Sequence, residues 1–210
     1  MTSTPTPAMA SGMTLHEALL GRRTVYSFSG EATDDVVIDH ALNAARWAPN
    51  HRLTQPWRFV VVGNETRAKL SDIAQSLALK KAAGASAEEQ ARVCEKAKRK
   101  FVQVGGLVVA LQALPALKNP AAPDADERFL LEEDYASVAC AVHNFVLSLW
   151  ADGVAALWGT GGITRNKDAL DLLGIDVDKE KVVGFLRFGA AEKVPSQKRL
   201  PTDDVIRRLP

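Results

Sequence analysis

The stretch Tyr135–Trp150 constrains this 210-residue chain more than any other. Its only polar interruptions are Ser137, His143, Asn144 and Ser148. A helix built on it has no solvent face and has to be buried on several sides. The sequence predicts this helix from about Glu127 to Asp152, stopped by Gly153, with the rest of the chain packed around it. At 22.7 kDa a single domain can bury about 70% of its unfolded surface, so the core needs neither a disulfide nor a metal to hold it.

The other elements follow from local signals. Thr14-x-x-Glu17 is a capping box, in which each side chain satisfies the other's orphan backbone donor, and it opens a helix running to about Gly21-Arg22-Arg23. A second helix follows Thr33-Asp34-Asp35, buries Ile38, Ala41, Leu42 and Ala45, and is ended by Pro49. Phe59–Val62 is read as a buried strand, and Ala68, Leu70, Ile73, Ala74 and Leu77 recur at helical spacing. Ser86-x-x-Glu89 caps a mostly polar helix, and Gly106–Leu111 is the next strand. Prolines 115, 120 and 123 make the stretch from Pro115 to Asp126 irregular. After the long helix come a strand at Ala155–Trp158, a short helix after Thr164 ending at Gly174, and a strand at Val182–Phe188. Strands and helices do not alternate strictly, so the class is α+β, with three layers possible.

Composition removes several functional classes. With 26 basic against 25 acidic residues, no whole-protein field draws the chain to nucleic acid or to an acidic membrane. The basic run Arg92, Lys96, Lys98, Arg99, Lys100 is the one local candidate for nucleic acid. Its interleaved Glu88, Glu89 and Glu95 favour an ordinary solvated helix face. Two distant cysteines, Cys94 and Cys140, build no disulfide framework and suit a reducing, cytoplasmic compartment. The longest apolar stretch, Val104–Leu114, is too short for a membrane helix. Residues 1–13 lack a secretory pattern and are expected to be a disordered tail. Phosphate-loop, serine-hydrolase, zincin and dinucleotide-fold signatures are all missing, and no metal is assigned. His143 reads as a hydrogen-bonded core histidine.

Three segments carry chemistry. Arg22-Arg23-Thr24, past the first helix, offers two guanidinium groups and a hydroxyl that can clamp a phosphate, or can simply complement the negative end of that helix. Ala48-Pro49-Asn50-His51-Arg52-Leu53-Thr54-Gln55-Pro56-Trp57 is a polar loop leading into a strand, open to reading as a plain connector. Trp158-Gly159-Thr160-Gly161-Gly162-Ile163-Thr164 ends a strand in glycines that let backbone amides approach a ligand.

Together these segments resemble the FMN-dependent nitroreductase family, in its small, single-domain, YdjA-like branch. The matching features are the arginine pair with its hydroxyl residue, APxHxxxQPW followed by FVV, W-x-[ST]-G-x-x-T, and the closing stretch Val182–Gly189. The resemblance covers roughly Leu15 to Gly189. It implies a three-layer fold with a central mixed, largely antiparallel sheet, in an intertwined homodimer with two FMN sites at the subunit interface. It further implies one domain over 14–210, with a C-terminal arm from about residue 190. On this reading Arg22, Arg23 and Thr24 hold the FMN phosphate and ribityl chain. His51 and Gln55 come from the other subunit, and Gly159, Thr160 and Gly161 line the isoalloxazine.

The implied activity is electron transfer from NAD(P)H through FMN to a nitroaromatic, quinone or similar acceptor by a ping-pong mechanism. Such chemistry demands no side-chain acid, base or nucleophile, so no catalytic residue is named. A flavin-storage protein, or a relative specialised for dehalogenation or flavin breakdown, is the alternative. The chain departs from the branch at Gly159, where an arginine is common. Arg187 on the last strand either replaces that charge or lies on a solvated face.

Overall fold

The computed structural model describes residues 12–210. Of the expected tail, residues 1–11 lie outside the described residues, and Gly12 and Met13 are exposed in neither helix nor strand. The helices are α1 (Leu15–Gly21), α2 (Asp35–Ala45), α3 (Asn64–Lys81), α4 (Ala87–Val102), α5 (Ala125–Ala151), α6 (Lys167–Leu172) and α7 (Thr202–Val205). The strands are β1 (Trp57–Val61), β2 (Gly106–Ala113), β3 (Ala155–Gly159) and β4 (Glu180–Gly189), with short 3-10 turns at His51–Leu53 and Gly162–Arg165.

The strands form one sheet in the order β1-β2-β4-β3, every neighbour pair antiparallel. The only parallel pairing among the described residues is an isolated bridge from Thr24 to Ala156, so the mixed character expected of the sheet reduces to that one contact. Pleat alternation sends Val108 and Ala110 of β2 into one core and Leu107, Val109 and Leu111 into another. The first core holds α2 and α5, the second α3, α4 and α6, which gives the three layers.

The central helix forms where the apolar run predicts it, but it keeps an open stripe, with Tyr135, Ala136 and His143 exposed. Phe145 on α5 is fully buried, stacked on Phe59 with centroids 6.4 Å apart and edge-on to Phe188 at 5.7 Å. Asp124 and Glu127 form its capping box, and Gly153 ends it at φ +77°, a left-handed position that disfavours side chains. Thr14 and Glu17 form the box on α1 as expected.

Three expectations are corrected. β1 is an edge strand with Val61 53% exposed, because it has a neighbour on one side only. Ser86 caps α4, but the Glu89 carboxylate turns to Arg92 at 2.7 Å instead of completing the box. α2 stops at Ala45, ahead of Pro49. The short helix expected after Thr164 is α6, capped by Asn166, and the Thr164 hydroxyl donates to the Gly161 carbonyl at 2.9 Å in the preceding turn.

Candidate functional site

The end of α1 delivers the arginine pair to the edge of β3. The Arg22 backbone N–H still donates to the Ala18 carbonyl at 2.9 Å, after which the chain turns extended. Thr24 bridges Ala156, and the Val25 N–H donates to the Ala156 carbonyl at 3.2 Å, with the Val25 side chain fully buried. Arg22, Arg23 and Thr24 thereby line a cavity of about 350 Å³ together with His143, Val146, Ala156, Trp158 and Thr160.

No acidic residue lines this cavity among the described residues. Burial pulls the Arg22 guanidinium below its usual range, and repulsion from Arg199 and Arg23 adds to the effect. Arg199, in the stretch after β4, is not among the site residues the sequence offers, because the path of a segment without regular structure is a tertiary property. His143 is corrected as well: it faces the cavity and not the core, and burial followed by the Arg22 charge lowers its pKa. The two arginines differ. One Arg23 Nη1 donates to the carbonyls of Leu20 at 2.6 Å and Arg22 at 2.9 Å, the helix-end role, whereas Arg22 makes no such bond. Uncompensated cations around a concave space suit a phosphate-bearing ligand.

The glycine segment sits where cavities meet. Gly159 borders cavities of about 790 and 520 Å³, Thr160 the arginine cavity, and Gly161 the 520 Å³ cavity. Gly159 does not serve a positive φ. It leaves room for Arg187, since a β-carbon there would lie 2.5 Å from Arg187 Nη2. Arg187 is mostly buried and does not lie on a solvated face.

His51 and Gln55 line none of these three cavities. Their loop is fastened to the first half of α5. Thr54 Oγ1 donates to Asp134 Oδ1 at 2.6 Å, Asn50 Nδ2 to Ser137 Oγ at 3.3 Å, and the Gln55 N–H to Asn50 Oδ1 at 2.6 Å. Arg52, Leu53 and Gln55 all take positive φ without being glycine, so these bonds hold a strained loop in shape. Arg52 Nε donates to His51 Nε2 at 3.0 Å, which leaves the imidazole proton on Nδ1, 3.9 Å from Glu133. From Asp134 to His143 is roughly 13 Å along the helix, so in one chain this loop and the arginine cavity are separate. Asp134 and Asn50 anchor the loop and are not among the site residues the sequence offers; Asp134 ends the acidic run Glu132-Glu133-Asp134, and nothing in the sequence separates it from its two exposed-looking neighbours.

The nitroreductase family model matches residues 19–190. The chain belongs to the nitroreductase family. Among its relatives is YfhC of Bacillus subtilis strain 168, provisionally named an NAD(P)H nitroreductase, which is 29% identical over 193 residues, 90% of this chain and 91% of that protein. A nitroreductase-like family protein from Bacillus cereus superposes with TM-score 0.74 at 25% identity, covering 96% of this chain and 99% of its own. A Desulfovibrio desulfuricans protein assigned as a nitroreductase, solved in complex with FMN, shares the fold with TM-score 0.69 at 19% identity, covering 99% of each chain. The W-x-T-G-x-x-T segment of this nitroreductase-family chain thus ends β3, and its arginine pair abuts the same strand.

Proposed function

We propose that this chain is an FMN-dependent NAD(P)H oxidoreductase reducing a nitroaromatic, quinone or similar acceptor by a ping-pong mechanism. One observation carries the reading: Arg22, Arg23, Thr24 and Thr160 converge on a cavity without a single acidic wall residue. Such a cavity fits the monophosphate end of FMN. Family membership, the FMN in the D. desulfuricans neighbour and the NAD(P)H in the name of YfhC support the same conclusion.

When bound, the flavin supplies hydride acceptance from a nicotinamide and onward reduction of a second substrate. The protein's part is placement and electrostatics. Arg22 and Arg23 neutralise the phosphate and Thr24 offers a hydroxyl to the ribityl chain. Backbone amides of Gly159, Thr160 and Gly161 favour negative charge on the ring. His51 and Gln55 are assigned to the flavin of the partner subunit, the Gln55 amide meeting the ring edge.

The reading includes one domain over 14–210 in a homodimer. Its support is exposed apolar surface: Leu15, Leu19 and Leu20 on α1, Trp47 at 75%, Leu53 at 78% and Phe129 at 62% exposure exceed what scattered surface residues account for. The reading also places the protein in the cytoplasm, in keeping with free thiols at Cys94 and Cys140. No described helix is long and apolar enough to cross a membrane.

The visible spectrum of the purified protein, before and after anaerobic NAD(P)H, tests the proposal. A bound flavin that bleaches and is released on denaturation as FMN is the expected result. Release of FAD, or failure to bind added FMN, overturns the cofactor. Bound FMN that never bleaches indicates a storage protein.

A further inference from the structure

The cavities of about 790 and 520 Å³ lie on the α4 side of the sheet, and four residues border both: Lys96, Lys100, Gly159 and Arg187. Three of the four are cations. Lys96 and Lys100 stand one turn apart on α4. Arg187 reaches them from β4, where it pairs with Leu157 of β3.

None of the three has a carboxylate within 4.0 Å among the described residues. Two of the neighbouring acids are engaged elsewhere. Glu89 is bound through both oxygens to Arg92, and Glu192 faces Arg99 and accepts from Gln103. Glu95 borders the larger cavity but makes no ion pair among the described residues. Arg187 Nε is buried without a hydrogen-bond partner among the described residues. Burial drives its pKa down to about 10, still charged at neutral pH. Lys100, though open to solvent, is pulled down as well, by partial desolvation first and then by Arg187, Lys96 and Lys81.

Holding like charges together with one desolvated and unpaired is costly unless a counter-charge arrives. Glycine at 159 leaves the guanidinium its present place, since a β-carbon there would lie 2.5 Å from Arg187 Nη2 and push the end of that side chain aside. We propose that Lys96, Lys100 and Arg187 form an anion subsite that receives the phosphate or carboxylate of a substrate bound beside Gly159. The subsite deepens the oxidoreductase reading and rests on it for the identity of that substrate. Two sources share this chemistry: the 2′-phosphate that distinguishes NADPH from NADH, and the carboxylate of an acidic acceptor.

Calorimetric titration with inorganic pyrophosphate tests the subsite in the intact protein. Arg187→Met and Lys100→Met should each weaken one class of pyrophosphate sites about 10-fold or more, the loss of a charge-assisted hydrogen bond. Arg22→Ala should leave that class unchanged, because Arg22 does not line these cavities. Lys100→Met removes an exposed side chain, so it remains informative where Arg187→Met fails to fold. Wild-type protein that binds no pyrophosphate, or equal binding by wild type and both variants, overturns the subsite.

Steady-state kinetics then separates the sources. A rise in KM for NADPH but not NADH assigns the phosphate; a rise for 4-nitrobenzoate but not its methyl ester assigns the carboxylate. Unchanged KM for all four overturns the link to substrate. Pyrophosphate binding through Arg187 in a chain that oxidises no nicotinamide overturns the redox reading and leaves the anion subsite standing.

Discussion

Thr54 donates a 2.6 Å hydrogen bond to Asp134, joining the strained loop before β1 to a carboxylate that is only 4% exposed. No other side-chain hydrogen bond reaches Asp134 among the described residues, so Thr54→Val leaves a buried carboxyl group without its partner. It should cost about 1–3 kcal/mol, read as a lower urea midpoint. In a double-mutant cycle, adding Asp134→Leu to Thr54→Val should recover part of that loss, since two apolar partners leave nothing unsatisfied.

Arg22→Ala should weaken FMN binding by about 1.5–3 kcal/mol, or about 10- to 150-fold. Gln55→Ala should also shift the flavin potential, because the ring edge changes charge on reduction. If the two residues serve one site from opposite subunits, co-expressed mixed dimers contain one intact site and one doubly damaged site. Flavin titration should then resolve a fraction with wild-type affinity that neither parent shows. A titration matching the average of the parents removes Gln55 from the partner's flavin.

His143 gives the protein an acid-sensitive element. Its folded pKa lies below the 6.5 of the free side chain, through burial and the Arg22 charge. Between the two values the unfolded chain binds more protons than the folded one, so stability falls as pH drops through 6.5 and levels off below the folded value. Melting temperatures between pH 7.5 and 5 should show this slope without added flavin, and His143→Gln should flatten it. Saturating FMN should flatten it too, because a phosphate beside the imidazole favours its charged form.

Gly184→Ala should disturb the site from behind. A β-carbon at 184 would run into the indole of Trp158, whose Nε1 donates to the Val183 carbonyl at 3.1 Å. Overpacking of this kind costs about 1–3 kcal/mol. Because Trp158 shares the arginine cavity with Thr160, weaker FMN binding should accompany a change in tryptophan fluorescence.

Features set by a few adjacent residues were readable in the chain. The boxes at Thr14 and Ser86, the acidic start of α2 and the stop at Gly153 depend on neighbours within about one helical turn. The Ser86 box failed only where Arg92 offered Glu89 a stronger partner. Phe59–Val61 has the composition of an inner strand, and only the pairing order shows that one of its sides is free. Which face Arg187 takes depends on its register against Leu107 and Leu157, which apolar periodicity does not specify. The left-handed residues Arg52, Leu53 and Gln55 carry no glycine to announce them, and the bonds that fasten their loop run from Thr54 and Asn50 to α5, far along the chain. The segments Arg22–Thr24 and Gly159–Gly161 were legible as motifs, whereas their closure into a cavity required the Thr24–Ala156 bridge.

That strand order also sets a schedule for folding. β3 is hydrogen-bonded to β4 and, through one bridge, to Thr24, while β4 finds its other partner in β2, far earlier in the sequence. β3 and β4 follow one another in the chain and can pair on their own, but the bridge from Thr24 to Ala156 joins segments that most of the sequence separates. Such non-local closures come late and slowly. The two walls of the arginine cavity therefore meet in one of the final events of folding, and a ligand that bridges them selects chains that have completed it.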